Sequence, residues 1–163
     1  MIGPSKPPTR LPLHGLLEVA YEALIAEFLE ELQKGEFSDI RLVHGCVFRY
    51  MKEEGLRLTE IAERGNMTKQ SAGEVVDDLV ARGYVERFPD PDDRRAKIVR
   101  LTERGEAAHS YGFGLLDEIE QRWGERYGAE RIADLRATLE EIAAVEAPFA
   151  VPEPAEPEPA GRR

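Results

Sequence analysis

Cysteine is nearly absent: the 163 residues contain one, Cys46. A single thiol excludes an internal disulfide and a cysteine-rich zinc site. Histidine is scarce as well, and His14, His44 and His109 lie too far apart to make a metal-spaced pair. No metal or cofactor is therefore expected. No apolar run approaches the roughly 20 residues that span a bilayer, and Met1-Ile2-Gly3-Pro4-Ser5-Lys6-Pro7-Pro8 lacks the apolar stretch of a signal peptide. The expected compartment is the cytosol, with no membrane partner. Also missing are a glycine-rich phosphate loop and a nucleophile set beside a histidine and an acid in a recognisable motif, which argues against an enzyme. The length suffices for one hydrophobic core and leaves little room for a second full domain.

The net charge is −10, which speaks superficially against a polyanionic partner. Its distribution says otherwise. Arg41 to Gly105 holds 13 Lys and Arg against 12 Asp and Glu, a balance of +1, whereas the remainder holds 9 against 20, or −11. Within the near-neutral middle, Arg94, Arg95, Lys97 and Arg100 form a basic cluster.

Residues 1–14 carry four prolines and no apolar period, the composition of a flexible arm. From Gly15, residues Leu17, Ala20, Tyr21, Leu24, Phe28 and Leu32 recur at spacings of three and four, predicting an amphipathic helix that ends near Gly35. Ser38 or Asp39 is placed to cap a second helix, with Ile40, Val43, Val47 and Tyr50 on one face as far as Glu54-Gly55. Two short helices follow, from Thr59 to about Arg64 and from Thr68 to about Arg82, each with a threonine at its start and Gly65-Asn66-Met67 between them. Such a pair is a helix-turn-helix candidate. After Gly83 the period shifts towards two. Tyr84–Phe88 and Lys97–Leu101 then read as strands of a hairpin whose loop, Pro89 to Arg95, is long and charged. Thr102 caps a long helix interrupted near Gly128, and Ile132, Leu135, Leu139 and Ile142 mark a last helix. Residues 148–163 form an acidic, proline-rich segment of low complexity, expected to be disordered.

Several of these stretches combine into a signature. Leu58-Thr59-Glu60-Ile61-Ala62, Met67-Thr68-Lys69-Gln70-Ser71, Leu79-Val80-Ala81-Arg82-Gly83-Tyr84-Val85-Glu86-Arg87, Asp90-Pro91-Asp92-Asp93-Arg94-Arg95-Ala96-Lys97 and Leu101-Thr102-Glu103-Arg104-Gly105 together resemble the MarR family of bacterial transcription regulators. The resemblance implies a mainly α fold with a small β-hairpin: a winged helix-turn-helix flanked by N- and C-terminal dimerisation helices. The expected layout is a MarR-like domain over 15–147, with a DNA-binding lobe at 38–105 and dimerisation helices at 15–35 and 103–146. The implied function is that of a ligand-responsive repressor bound as a homodimer to double-stranded DNA.

The residues fit that role chemically. Thr68, Lys69, Gln70 and Ser71 offer hydroxyl, ammonium and amide groups at the positive end of a helix dipole, and Gly73 lets the backbone come close to DNA. Gln70 suits adenine, Lys69 suits guanine or phosphate, and the two hydroxyls suit phosphates. Arg94 sits at the wing tip, where the resemblance implies minor-groove entry, with Arg95, Lys97 and Arg100 along the DNA side and Asp92 or Asp93 paired to a neighbouring arginine. Continuous apolar seams on the outer helices call for a partner, and a twofold homodimer would place two recognition helices roughly 34 Å apart over a palindromic operator.

A small aromatic or anionic ligand is implied by the same resemblance, with Phe48, Tyr111, Phe113 and Trp123 as pocket candidates or, more plainly, as core. Two other readings stay open. One is a protein-interaction winged helix without DNA binding, which Glu74, Asp77 and Asp78 on the recognition helix would suit. The other is an oxidant-sensing regulator using Cys46, although a lone helical cysteine is most often a buried small hydrophobe.

Overall fold

A computed structural model describes residues 10–93 and 96–146. Most of the expected N-terminal arm, Arg94 and Arg95 of the wing, and the acidic C-terminal segment lie outside the described residues. The chain runs α1 (Leu13–Lys34), a 3₁₀ turn (Leu42–His44), α2 (Gly45–Phe48), β1 (Leu56–Arg57), α3 (Leu58–Arg64), α4 (Lys69–Ala81), β2 (Val85–Pro89), β3 (Lys97–Leu101), α5 (Glu103–Tyr127) and α6 (Ala129–Glu146). Among the described residues no helix is long and apolar enough to cross a membrane.

The helix-turn-helix is built by local chemistry. Thr68 caps α4 as expected, its Oγ1 accepting from the Ser71 amide at 3.1 Å. The start of α3 differs from expectation: Thr59 lies inside the helix, and the Glu60 carboxylate accepts from the Arg57 amide at 2.8 Å. That bond lets α3 begin directly after β1. Both helices end alike. Asn66 and Gly83 take positive φ of 48° and 75°, and the amides of Met67 and Tyr84 reach back to the carbonyls of Ala62 and Leu79, both at 2.9 Å. These are Schellman endings, in which a left-handed residue turns the chain and satisfies orphan carbonyls.

The second helix is shorter than its apolar pattern suggests. Asp39 does not cap it, because its carboxylate accepts from the Tyr84 hydroxyl at 2.5 Å and pairs with Arg82 and Arg104. A 3₁₀ turn and a four-residue helix take its place, started by the Arg41 amide donating to His44 Nδ1 at 3.0 Å.

The hairpin is present with the expected strands and gains a third. β3 is central, pairing antiparallel with β2 (Val85 opposite Leu101, Pro89 opposite Lys97) and with β1 (Leu56 opposite Val99). Behind it, Val47, Leu56, Ile61, Ala72, Val76, Leu79, Tyr84 and Val99 form the core of the lobe, which extends to Leu32 of α1 and Leu115 of α5. Thr102 caps α5 through the Gly105 amide at 3.0 Å. At Gly105 itself a Cβ would lie 1.9 Å from the Tyr84 carbonyl oxygen, so only glycine allows α5 to leave the sheet at this point.

The outer helices are only partly covered. α5 packs on α1 and on α6, yet α6 contains no buried residue. Leu135, Leu139, Ile142 and Val145 are exposed on it, as are Leu13, Leu16, Leu17 and Val19 on α1.

Candidate nucleic-acid interface

The first turn of α4 stands free of the core. Thr68, Lys69, Gln70 and Ser71 are all exposed, while Ala72, Val75, Val76 and Leu79 anchor the opposite face. The Thr68 and Ser71 hydroxyls lie 2.9 Å apart, so capping and mutual bonding preset both. Gly73 is half-buried, and a Cβ there would meet only Leu58 Cδ2 at 4.0 Å, an ordinary contact. The fold therefore does not itself demand glycine at this position.

The three acids of α4 are each engaged within the protein. Glu74 Oε1 accepts from the Gln70 amide at 3.3 Å. Asp77 pairs with Arg87 of β2 at 2.7 Å. Asp78 Oδ2 receives His44 Nε2 at 2.8 Å, Arg82 Nε at 3.0 Å and the Arg41 guanidinium. These hydrogen bonds, that of Arg82 first, with the charge of Arg41, hold the Asp78 carboxyl far below the usual carboxylate range. Asp77 and Asp78 are thus matched by positive charge before any phosphate approaches.

His44 is fully buried, with its ring orientation set on both sides. Nδ1 accepts from the Arg41 amide, so the proton sits on Nε2 and points at Asp78. Burial pushes its pKa down, outweighing the opposing pull of Asp78. The ring is neutral, and both nitrogens are used.

The wing is braced at its base. Asp90, 2% exposed, accepts from Arg57 Nε at 2.5 Å through Oδ2 and from the amides of Asp92 and Asp93 at 2.8 and 3.3 Å through Oδ1. The Arg57 guanidinium and these amides hold its carboxyl below the ordinary range. The backbone closes the loop, with Asp90 N to Ala96 O at 3.2 Å and Ala96 N to Asp93 O at 2.9 Å. Asp90 thus braces the base of the wing; the pairing expected of Asp92 or Asp93 with Arg94 or Arg95 lies outside the described residues. Lys97 is exposed at the start of β3, and Arg100 lies over the Phe88 ring at 5.2 Å while donating to the Glu54 carbonyl at 3.0 Å.

Between the lobe and the long helices lies a cavity of about 390 Å³. Tyr21 and Phe28 of α1, the 41–50 segment and Phe113 of α5 contribute to its wall, as do the cations Arg41, Arg49 and Arg64. Of the four aromatic candidates, Phe48 and Phe113 line it. Tyr111 instead packs against Phe37 with ring centroids 5.4 Å apart, and Trp123 donates to Glu27 at 3.2 Å. Cys46 faces the cavity wall half-buried, its thiol donating to the Val43 carbonyl and pushed up in pKa by burial. Among the described residues no group of three or more His, Cys, Asp or Glu gathers to hold a metal.

Comparison with known proteins places this arrangement. The sequence model of the MarR family matches residues 38–96, from the start of the lobe into the wing. Over these residues the chain is similar to the MarR family. The multiple antibiotic resistance protein MarR of Escherichia coli (strain K12) is 32% identical over 69 residues, 42% of this chain and 48% of the relative. The match thus spans about half the length of that curated relative. Among solved structures, the transcriptional regulator PA4135 superposes with a TM-score of 0.68 and 27% identity, covering 83% of this chain and 98% of its own. CouR from Rhodococcus jostii RHA1, solved with p-coumaroyl-CoA bound, gives 0.63 at 25% identity over 78% and 89%. The winged-helix architecture inferred from the motifs is the one found.

Within this MarR-like lobe, sequence reasoning missed two long-range links: His44 with Arg41 to Asp78, and Arg57 to Asp90. For His44 a signal existed. It lies four residues from both Ile40 and Phe48, so a polar ring falls on an apolar face and requires a buried partner. For Arg57 and Asp90, thirty-three residues apart, no local pattern marks the pair.

Proposed function

We propose that the chain is a sequence-specific, double-stranded DNA-binding regulator, acting in the cytosol as a homodimeric repressor on a palindromic operator. The observation that carries this reading is the exposed first turn of α4, preset by the Thr68–Ser71 pair, with both carboxylates behind it matched by arginines. Lys69 and Gln70 read base edges, Thr68 and Ser71 hold phosphates, and Gly73 admits the backbone. Arg94, Arg95 and Lys97 add the wing's contacts. Asp77 and Asp78 engaged in this way disfavour the alternative of an acidic, DNA-free interaction module. Burial of Cys46 lowers its thiolate fraction and disfavours oxidant sensing.

The exposed apolar residues of α1 and α6 are the dimerisation surfaces, a role for the two arms at 15–35 and 103–146. The cavity takes a small aromatic or anionic ligand, with Phe48 and Phe113 supplying aromatic walls and the arginines a counter-charge; the aromatic acyl thioester bound to CouR supports this class. Selection of bound fragments from genomic DNA, followed by mobility shifts at graded salt, tests the reading. Recovered half-sites about one helical turn apart are expected, with affinity falling as salt rises. Failure to recover any preferred sequence would overturn it.

A further inference from the structure

The recognition helix and the cavity are joined by one carboxylate. Arg41, Leu42, Val43, Gly45 and Cys46 all line the cavity, and His44 sits among them with its ring turned the other way, into the lobe. Its Nε2 and the Arg41 guanidinium both end on Oδ2 of Asp78, an atom of α4. The Arg41 amide also donates to His44 Nδ1, so the two residues move as a unit. The cavity wall and α4 thus meet at this one oxygen.

We infer that Asp78 is a positioning residue that carries the state of the cavity to the recognition helix, through the Arg41–His44 turn. The inference rests on the reading that the chain binds DNA and that the cavity takes a ligand. Leverage is built in. Asp78 lies nine residues from Lys69, about 14 Å along the axis. A tilt of about 5° at Asp78 displaces Lys69 and Gln70 by about 1 Å, well beyond the few tenths of an ångström a hydrogen bond tolerates. His44 is buried and both its nitrogens are committed, so the link has no slack to absorb a shift of the wall.

The single cysteine allows the cavity to be filled without knowing its ligand. Benzyl methanethiosulfonate, applied to the full-length dimer at alkaline pH, is attacked by the Cys46 thiolate; a mixed disulfide forms and methanesulfinate leaves. Intact mass verifies one benzylthio group per chain, and Cys46→Ser controls for other sites. DNA affinity is then measured on a selected duplex, labelled against unlabelled, in wild type, Asp78→Asn and Arg41→Gln.

Labelled wild type is expected to bind about tenfold or more weakly than unlabelled. In Asp78→Asn the label should change affinity by less than about twofold, whatever the variant's own starting affinity. Arg41→Gln removes only the exposed arm of the link, so it folds even if Asp78→Asn does not, and its response should fall between the two. A role of Asp78 in stability alone would move unlabelled affinities and leave these ratios unchanged. The inference is overturned if the label leaves wild-type affinity intact, or if both variants respond as fully as wild type. Absence of DNA binding by the unlabelled wild type is a separate result: it overturns the DNA-binding reading, and this inference with it.

Discussion

Arg57 Nε donates to Asp90 Oδ2 across thirty-three residues, joining the first residue before α3 to the base of the wing. The same Asp90 carboxylate organises the Asp92 and Asp93 amides. One side chain thereby fixes where the basic loop leaves the sheet and how it turns.

Replacing Asp90 by alanine should therefore disturb the wing more than the lobe. Two amides and a guanidinium lose their acceptor at once. DNA affinity is expected to fall about tenfold in a mobility shift, while Lys69→Ala on α4 should weaken binding and lower the salt slope by about one if Lys69 meets a phosphate. Unchanged affinity in Asp90→Ala would show that the wing's geometry is irrelevant to binding.

Gly73→Ala separates folding from recognition. A Cβ at 73 meets no close neighbour, and alanine in a helix interior is favoured over glycine by about 0.5–1 kcal/mol. The thermal midpoint should rise while DNA affinity drops. A variant that gains stability with full affinity would remove Gly73 from the interface.

Acidification acts through the histidines before the carboxylates. Burial depresses the folded pKa of His44, which faces Asp78 and Arg82 from α4 and Arg41 on its own segment, and likewise that of His109. Unfolded histidine titrates at about 6.5. The unfolded state thus binds more protons below that value, and the stability these groups contribute is complete above it and lost as pH falls. Asp39, Asp78, Asp90, Glu27 and Glu120 are also depressed, so their contribution is kept until pH falls below about 4. Thermal melts should show a first decline as pH falls below about 6.5, flattened in His44→Gln, and a second in stronger acid. A midpoint independent of pH through the first window would contradict the buried, neutral state of His44.

Leu139→Glu paired with Ile142→Glu tests the assembly. Neither side chain is buried in the single chain, so the monomer fold should survive, with circular dichroism unchanged. Sedimentation should report a monomer, and DNA affinity should fall by about a hundredfold or more as the second half-site is lost. A variant that remains dimeric would move the interface elsewhere.

Elements whose chemistry is local were legible from the residues alone. Thr68 and Thr102 cap what they were expected to cap, and the lobe's winged-helix order follows from period and motif. The misreadings all involve distant partners. Asp39 has a capping residue's chemistry, but Tyr84, forty-five residues on, claims its carboxylate. Thr59 yields the start of α3 because β1 pairs with the distant β3, Leu56 opposite Val99, and ends directly at the helix. A two-residue strand carries no period to detect. Among candidate site residues, the α4 turn was readable because capping and exposure go together there. Tyr111 and Trp123 could not be told from cavity aromatics, since their direction depends on Phe37 and Glu27.

The smallness of the sheet has a consequence for how such a molecule associates. β1 offers an outer edge only two residues long, and β2 ends at Pro89, which has no amide to donate. The β1 margin therefore presents little unpaired backbone to a passing strand, and the β2 margin is short of one donor at its end, which limits extension of the sheet from chain to chain. The leucines this chain leaves uncovered lie on its helices, away from the strand edges that template fibres.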